Sequence, residues 1–210
     1  EMLPTCEQLK NAGYDGVELP MFNLELDYKS LGESLDSMGL ARTAVTIRGE
    51  EDNPISPDAS IRAKGVELTK QTLDCCAAAG VETLVGPYHS ALGYFSGAGP
   101  TEDEWKWGVD SMRQVAEHAG QVGVKLGVEA LNRFECYFLN THGDSARFVR
   151  EVGTTMFAQT QPTTKQSTTI IPMPASVSVL GMIGSNTTVP TASVVDVVVV
   201  IAVAVVIVDV

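Results

Sequence analysis

The sequence predicts an α/β protein built on a parallel sheet over residues 1–153. Helical and strand-like patterns alternate there in units of roughly 30 to 40 residues. The stretches that follow strand-like runs are long and polar or glycine-rich, whereas the connections leading into them are tight glycine turns. One such run, residues 124–129, ends in a carboxylate, Glu129, and passes into a polar loop with Asn132, Arg133 and Glu135. A strand-end acid followed by a polar loop is where α/β proteins place chemistry.

Each element has its own signal. Residues 2–12 show helical spacing (Leu3, Cys6, Leu9) and stop at Gly13, and residues 15–19 (DGVEL) read as a short strand ended by Pro20. Residues 27–38 put Leu31, Leu35 and Met38 on one helical face, with Gly39 as the stop. Residues 40–47 (LARTAVTI) are β-rich. Ser56 as N-cap and Pro57 at the first helical position predict a long helix to about residue 79, ended by Gly80. Residues 82–85 (ETLV) form the next strand and run into GPYHSALGYFSGAGP. Thr101-x-x-Glu104 is a capping box for a helix to about residue 121, and Thr141-x-x-Asp144 resembles another, opening a helix to residue 152.

The count is four strands, where a closed (β/α)8 barrel has eight. An open doubly wound sheet is the alternative, although no glycine-rich phosphate fingerprint supports it. The composition changes at Gly153. Residues 154–169 are Thr/Gln-rich, and 177–210 are rich in Val, Ile, Thr and Ser, ending in VVDVVVVIAVAVVIVDV. Asp196 and Asp209 interrupt that run too closely for a membrane span of about 20 apolar residues. The division expected is therefore 1–153 as a patterned domain and 154–210 as a low-complexity tail that is disordered or not natively folded. A frameshift or unspliced intron would give such a text. At the other end the chain opens inside a helix and reads as cut.

The formal net charge of -12 and the absence of a Lys/Arg cluster argue against nucleic acid as a partner. Cys6, Cys75, Cys76 and Cys136 show no CxxC spacing and read as buried or free thiols in a reducing, cytoplasmic compartment.

Glu129 leads the candidates for chemistry, because a carboxylate at a barrel mouth can bind a hard divalent cation and move protons. Glu135, six residues on, can accept hydrogen bonds from hydroxyls. Glu18 and Arg48 stand at or just past other strand ends, as rim charges or as groups facing the same mouth. His89 is the histidine placed to reach that face, unless a backbone partner occupies it. Trp105 and Trp107, in a helix first turn, pack or stack on substrate.

The motif Glu129-Ala-Leu-Asn-Arg-Phe-Glu135, with YDGVELP, TAVTIRGEEDNPIS and LVGPYHSALGYFSGAGPTEDEWKWGV before it, resembles the sugar phosphate isomerase/epimerase family. These are xylose isomerase-like TIM barrels, and the nearest group is the ketose 3-epimerases of tagatose/psicose type. The resemblance covers about residues 2–153 and implies a partial (β/α)8 barrel, about helix one to helix five with four parallel strands. It implies a divalent metal (Mn²⁺, Co²⁺ or Mg²⁺) held by two Glu, one Asp and one His, and proton exchange on a sugar carbon through an enediolate. Glu129 matches the first metal-binding and catalytic Glu, and Glu135 matches an acid that binds substrate hydroxyls. His89, Trp107, Arg48 and Glu18 are further substrate-binding candidates. The family's Asp-Thr-Phe-His run, some thirty residues past Glu129, has no counterpart: Pro162 and a Thr/Gln tract stand there.

The expectation is thus a metal-dependent ketose isomerase or epimerase by descent, acting on a sugar or sugar phosphate, with this chain an inactive fragment and the intact barrel able to form a homo-oligomer. Competing readings are a sugar or cyclitol dehydratase on the same barrel, an endonuclease-like hydrolase, which the acidity disfavours, and a non-catalytic product whose tail self-associates or meets a membrane.

Overall fold

The computed structural model describes residues 2–161 and 206–207. The elements are α1 (Met2–Asn11), β1 (Gly16–Pro20), α2 (Tyr28–Met38), β2 (Ala41–Val45), a 3-10 turn at Glu50–Asp52, α3 (Ala59–Ala78), β3 (Thr83–Gly86), α4 (Glu102–Val122), β4 (Lys125–Val128), α5 (His142–Val152), β5 (Phe157–Gln161) and β6 (Val206–Ile207). The strands pair in chain order. β1 to β5 are parallel, and β6 runs antiparallel to β5. Among the described residues no helix is long and apolar enough to cross a membrane.

Caps follow the local chemistry. Thr101 accepts from the Glu104 N–H while the Glu104 carboxylate receives the Thr101 N–H, closing the predicted box. Thr141 accepts from the Asp144 N–H in the same way. The start of α3 differs from expectation: Asp58, not Ser56, is the N-cap, and its carboxylate takes the Ser60 N–H at 2.7 Å. Ser56 instead accepts the Asp58 N–H, and Pro57 lies in the turn before the helix. An ionised acceptor at Asp58 makes the stronger cap.

β5 lies beyond the Gly153 boundary, so the helix–strand alternation runs one strand further than the sequence reading places it. Its ladder is backbone pairing with β4, with Leu126 opposite Phe157. Phe157 is buried in the core and meets Phe148 at 6.0 Å. One aromatic residue in a Thr/Gln-rich segment gives little strand signal, although it suffices once β4 offers an open edge. Of the expected tail, residues 162–205 and 208–210 lie outside the described residues, and so does most of the valine-rich run.

Strand alternation decides which side chains meet. Val17, Leu19, Ala44, Leu84, Leu126, Val128 and Phe157 share the helix-facing side and are buried. The other side carries Glu18 opposite Thr43, and Val45, Val85 and Gly127 in successive registers. Glu129 continues that inner side, and its N–H extends the ladder to the Gly86 carbonyl at 3.3 Å. Gly86 has φ +129, and a Cβ there would collide with the Thr46 carbonyl, so only glycine lets β3 turn into its loop at this point.

Candidate active site

The site is built from the loops after β3 and β4, with β1 and β2 alongside. Glu129 is solvent-exposed on the open inner face. Enough protein stands around it that partial desolvation raises its carboxyl pKa, and the charge of Glu135 raises it further. Glu18, on the same side of β1, is also raised. Burial is the largest cause, opposed by a hydrogen bond from the Thr43 hydroxyl at 3.2 Å and assisted by Glu129. The inner face thus brings Glu18, Glu129 and Glu135 into one electrostatic neighbourhood.

The loop that holds Glu135 is fastened from within. The Asn132 amide donates to the Glu135 carboxylate. The Asn140 amide donates to the carbonyls of Leu131 (2.9 Å) and Cys136 (2.8 Å), and the Leu131 N–H reaches the Leu139 carbonyl. Phe138 anchors the loop in an aromatic cluster with Phe148 (5.5 Å) and Trp105 (5.6 Å). Phe134, between the two functional stretches, is 88% exposed.

His89 is 0% exposed, with Nε2 at 2.9 Å from the Glu129 carbonyl and Nδ1 at 3.0 Å from the Ser90 hydroxyl. Burial lowers its pKa to about 4, against the raising effect of the bond to Glu129. Of the two readings the sequence left open, the backbone partner holds, and the ring does not line the mouth.

Arg48 does not face the mouth either. It shares the helix-facing side with Ala44 and Thr46 and is buried against α3, where its guanidinium donates to Thr69, Thr72, Thr46 and Asp52. Trp107 sits in the groove between α3 and α4, with the Arg62 guanidinium 4.7 Å from its ring centroid, away from the strand ends. Trp105 packs into the aromatic cluster and donates its indole N–H to Glu151 at 2.6 Å. A cleft of about 290 Å³ opens beside the β4 loop, bounded by Thr101, Arg133, Tyr137, Asn140, Thr141 and Arg147.

Residues 6–159 match the model of the xylose isomerase-like TIM barrel family. The chain belongs to that family. It is 28% identical over 156 residues to a D-psicose 3-epimerase of Agrobacterium fabrum, covering 71% of this chain and 54% of the relative. It is 30% identical over 155 residues to an L-ribulose 3-epimerase of Mesorhizobium japonicum, covering 73% and 52%. Among solved structures, a D-psicose 3-epimerase crystallised in the presence of D-fructose superposes with a TM-score of 0.70 at 27% identity, over 76% of this chain and 57% of that one. An L-ribulose 3-epimerase gives 0.71 at 26% identity, over 74% and 52%. The chain spans about half the length of the curated relatives it matches.

The divalent metal implied by the family motif finds only part of a site here. Among the described residues no group of three or more His, Cys, Asp or Glu is arranged to hold an ion. Glu129 offers at most two oxygens, where a hard cation takes about six. The described donors do not fit a complete metal centre.

Ser90, which meets His89, and Cys136, which meets Ser90, carried no sequence signal for a role at the site. They lie 46 residues apart and come together only through the packing of two loops, at 3.3 Å.

Proposed function

We propose that the protein derives from ketose 3-epimerases, metal-dependent isomerases that move a proton on a sugar carbon through an enediolate, with Glu129 as proton carrier and metal ligand and Glu135 as the acid that binds substrate hydroxyls. The observation that carries this reading is the placement of Glu129. It directly follows β4 on the inner side, with its pKa raised by partial burial and by Glu135, inside a motif that resembles that of the ketose 3-epimerases. A carboxylate of raised pKa is a better base near neutral pH, and proton transfer of this sort contributes ~10²–10⁴-fold to a rate. The C–H bond electrons pass into the enediolate as the proton moves to Glu129. Glu18 adds a second inner-face carboxyl, near enough for the charge of Glu129 to help raise its pKa. Inversion requires the proton to return on the opposite face of the carbon, from an acid other than Glu129.

The reading includes that the chain by itself turns over little or no ketose. Its described sheet has five parallel strands, and a closed barrel uses eight. The test is conversion between 3-epimeric ketohexoses with added Mn²⁺, by the 210-residue chain and by a chimera supplying the remaining strands of a related epimerase. We expect turnover in the chimera only, abolished by Glu129→Gln. Chimera turnover unaffected by that change, or water loss from the sugar in place of epimerisation, would overturn the assignment. Tight, stoichiometric Mn²⁺ binding by the unextended chain would overturn its inactivity.

A further inference from the structure

The geometry points to His89, Ser90 and Cys136 as positioning residues that, within a template formed by loop 86–93, fix the two site acids relative to one another. The inference rests on the reading of Glu129 and Glu135 given above.

The hydrogen bonds in this chain have one self-consistent direction. The Glu129 carbonyl can only accept, so His89 Nε2 carries the hydrogen and donates at 2.9 Å. The ring is buried, and among the described residues its nitrogens meet the Glu129 carbonyl and the Ser90 hydroxyl rather than an acid, so it is neutral and Nδ1 is an acceptor. Ser90 therefore donates its hydroxyl hydrogen to Nδ1 at 3.0 Å, and its oxygen is free to accept. Cys136 supplies that hydrogen from its thiol at 3.3 Å, while its sulfur accepts the Phe138 N–H at 3.3 Å. Every polar atom in this sequence of contacts is satisfied, as a buried network requires.

The consequence lies in what the two ends hold. Glu129 is fixed through both flanking peptides: its N–H bonds to the Gly86 carbonyl at 3.3 Å, and its carbonyl receives His89. Only its side-chain torsions remain free. At the other end Cys136 directly follows Glu135, whose carbonyl receives the Gly93 N–H at 2.8 Å. Four contacts from one short loop, at Gly86, His89, Ser90 and Gly93, thus set the backbone positions of both acids. A purely local β4 loop would leave their spacing to its own flexibility, and a misplacement of about 1 Å in a site can cost ~10²-fold in rate.

The test uses the full chain and needs no turnover. Amide hydrogen exchange is followed by NMR in Ser90→Ala, His89→Leu, Cys136→Ala and Cys136→Ser. In Ser90→Ala and Cys136→Ala we expect the Glu129, Leu131 and Gly93 amides to exchange about 5- to 10-fold faster, the effect of losing one buried hydrogen bond on local opening, while the amides of α4 keep their rates. Cys136→Ser retains a donor and should restore slow exchange, which loss of packing alone would not predict. His89→Leu should show the largest acceleration; should it not fold, the single-atom change Ser90→Ala decides. Wild-type exchange at Glu129 and Gly93 in folded Ser90→Ala, or equal behaviour of Cys136→Ser and Cys136→Ala, would overturn the inference. In the active chimera the same variants should lower kcat in the same order. If the exchange pattern holds and the chimera shows no epimerase turnover, the template stands and the functional reading falls.

Discussion

Arg48 and Glu129 each stand just past the C-terminal end of a strand, three residues beyond Val45 in one case and one beyond Val128 in the other. The sequence places Glu129 at the mouth and leaves Arg48 either there or as a rim charge. Their strand positions send them to opposite sides. Val45 belongs to the inner side, so the third residue on returns to the helix-facing side, and Arg48 is buried, donating to Asp52 and to hydroxyls of Thr46, Thr69 and Thr72. Val128 is helix-facing, so Glu129 turns inward, and its carboxylate meets the charge of Glu135 in place of a countercharge. A charge at a strand end is structural or chemical according to which side it reaches, and among the described residues the Glu129 carboxylate has no hydrogen-bond or ion-pair partner.

Substitutions can break this contrast. The largest effect belongs to Glu129→Gln in a completed barrel, where kcat should fall by ~10²–10⁴-fold, with metal retention weakened in a titration and thermal stability essentially kept. Glu135→Gln beside it should act mainly on KM. Equal and opposite results for the pair would exchange their roles.

Arg48→Met should do the reverse, costing ~3–5 kcal/mol in urea unfolding, because it takes the guanidinium from the half-buried Asp52 carboxylate and a donor from the hydroxyls of Thr46, Thr69 and Thr72, which keep only their bonds to backbone carbonyls. In the completed barrel its KM for ketose should stay within about twofold of the parent, as expected for a residue that contacts no substrate. A large change in KM with stability intact would return Arg48 to the mouth.

The two ends also differ in pH response. His89 is held neutral, with a pKa of about 4 against an ordinary 6.5, so the unfolded chain binds the proton more readily. Stability from this group is complete above pH 6.5 and is lost as pH falls toward about 4. The amount is on the order of 3 kcal/mol, and His89→Gln should flatten that limb of the stability curve. Glu18 has the opposite sign. Its folded pKa is raised, so stability falls as pH rises from the ordinary 4.5 through the raised value, and Glu18→Gln should stabilise the protein at neutral pH. Unfolding midpoints measured from pH 4 to 8 would separate the two, and a shared slope would sink the assignment.

The smallest effect is expected at Trp107. Trp107→Ala should cost about 1 kcal/mol through its stacked Arg62 and leave turnover in the completed barrel unchanged.

Several features were legible in the order of residues alone. The helices, the glycine stops and the Thr101 and Thr141 caps depend on neighbours three or four positions away, and the sequence displays such neighbours directly. Glu129 at a strand end was legible for the same reason, since alternation over Val124, Leu126 and Val128 fixes which way the next side chain turns. What the sequence could not display was pairing across long separations. β5 exists because β4 offers it an edge, not because AQTQ favours a strand. Arg48 is neither a rim charge nor a group at the mouth because α3 brings Thr69 and Thr72 to it from 21 and 24 residues away. His89 closes on Glu129 across 40 residues, and Ser90 on Cys136 across 46. Local spacing determines which elements form and which way each side chain leaves its strand. Only the packed loops decide which polar groups find partners, because a hydrogen bond is satisfied by whatever donor the tertiary fold brings within about 3 Å.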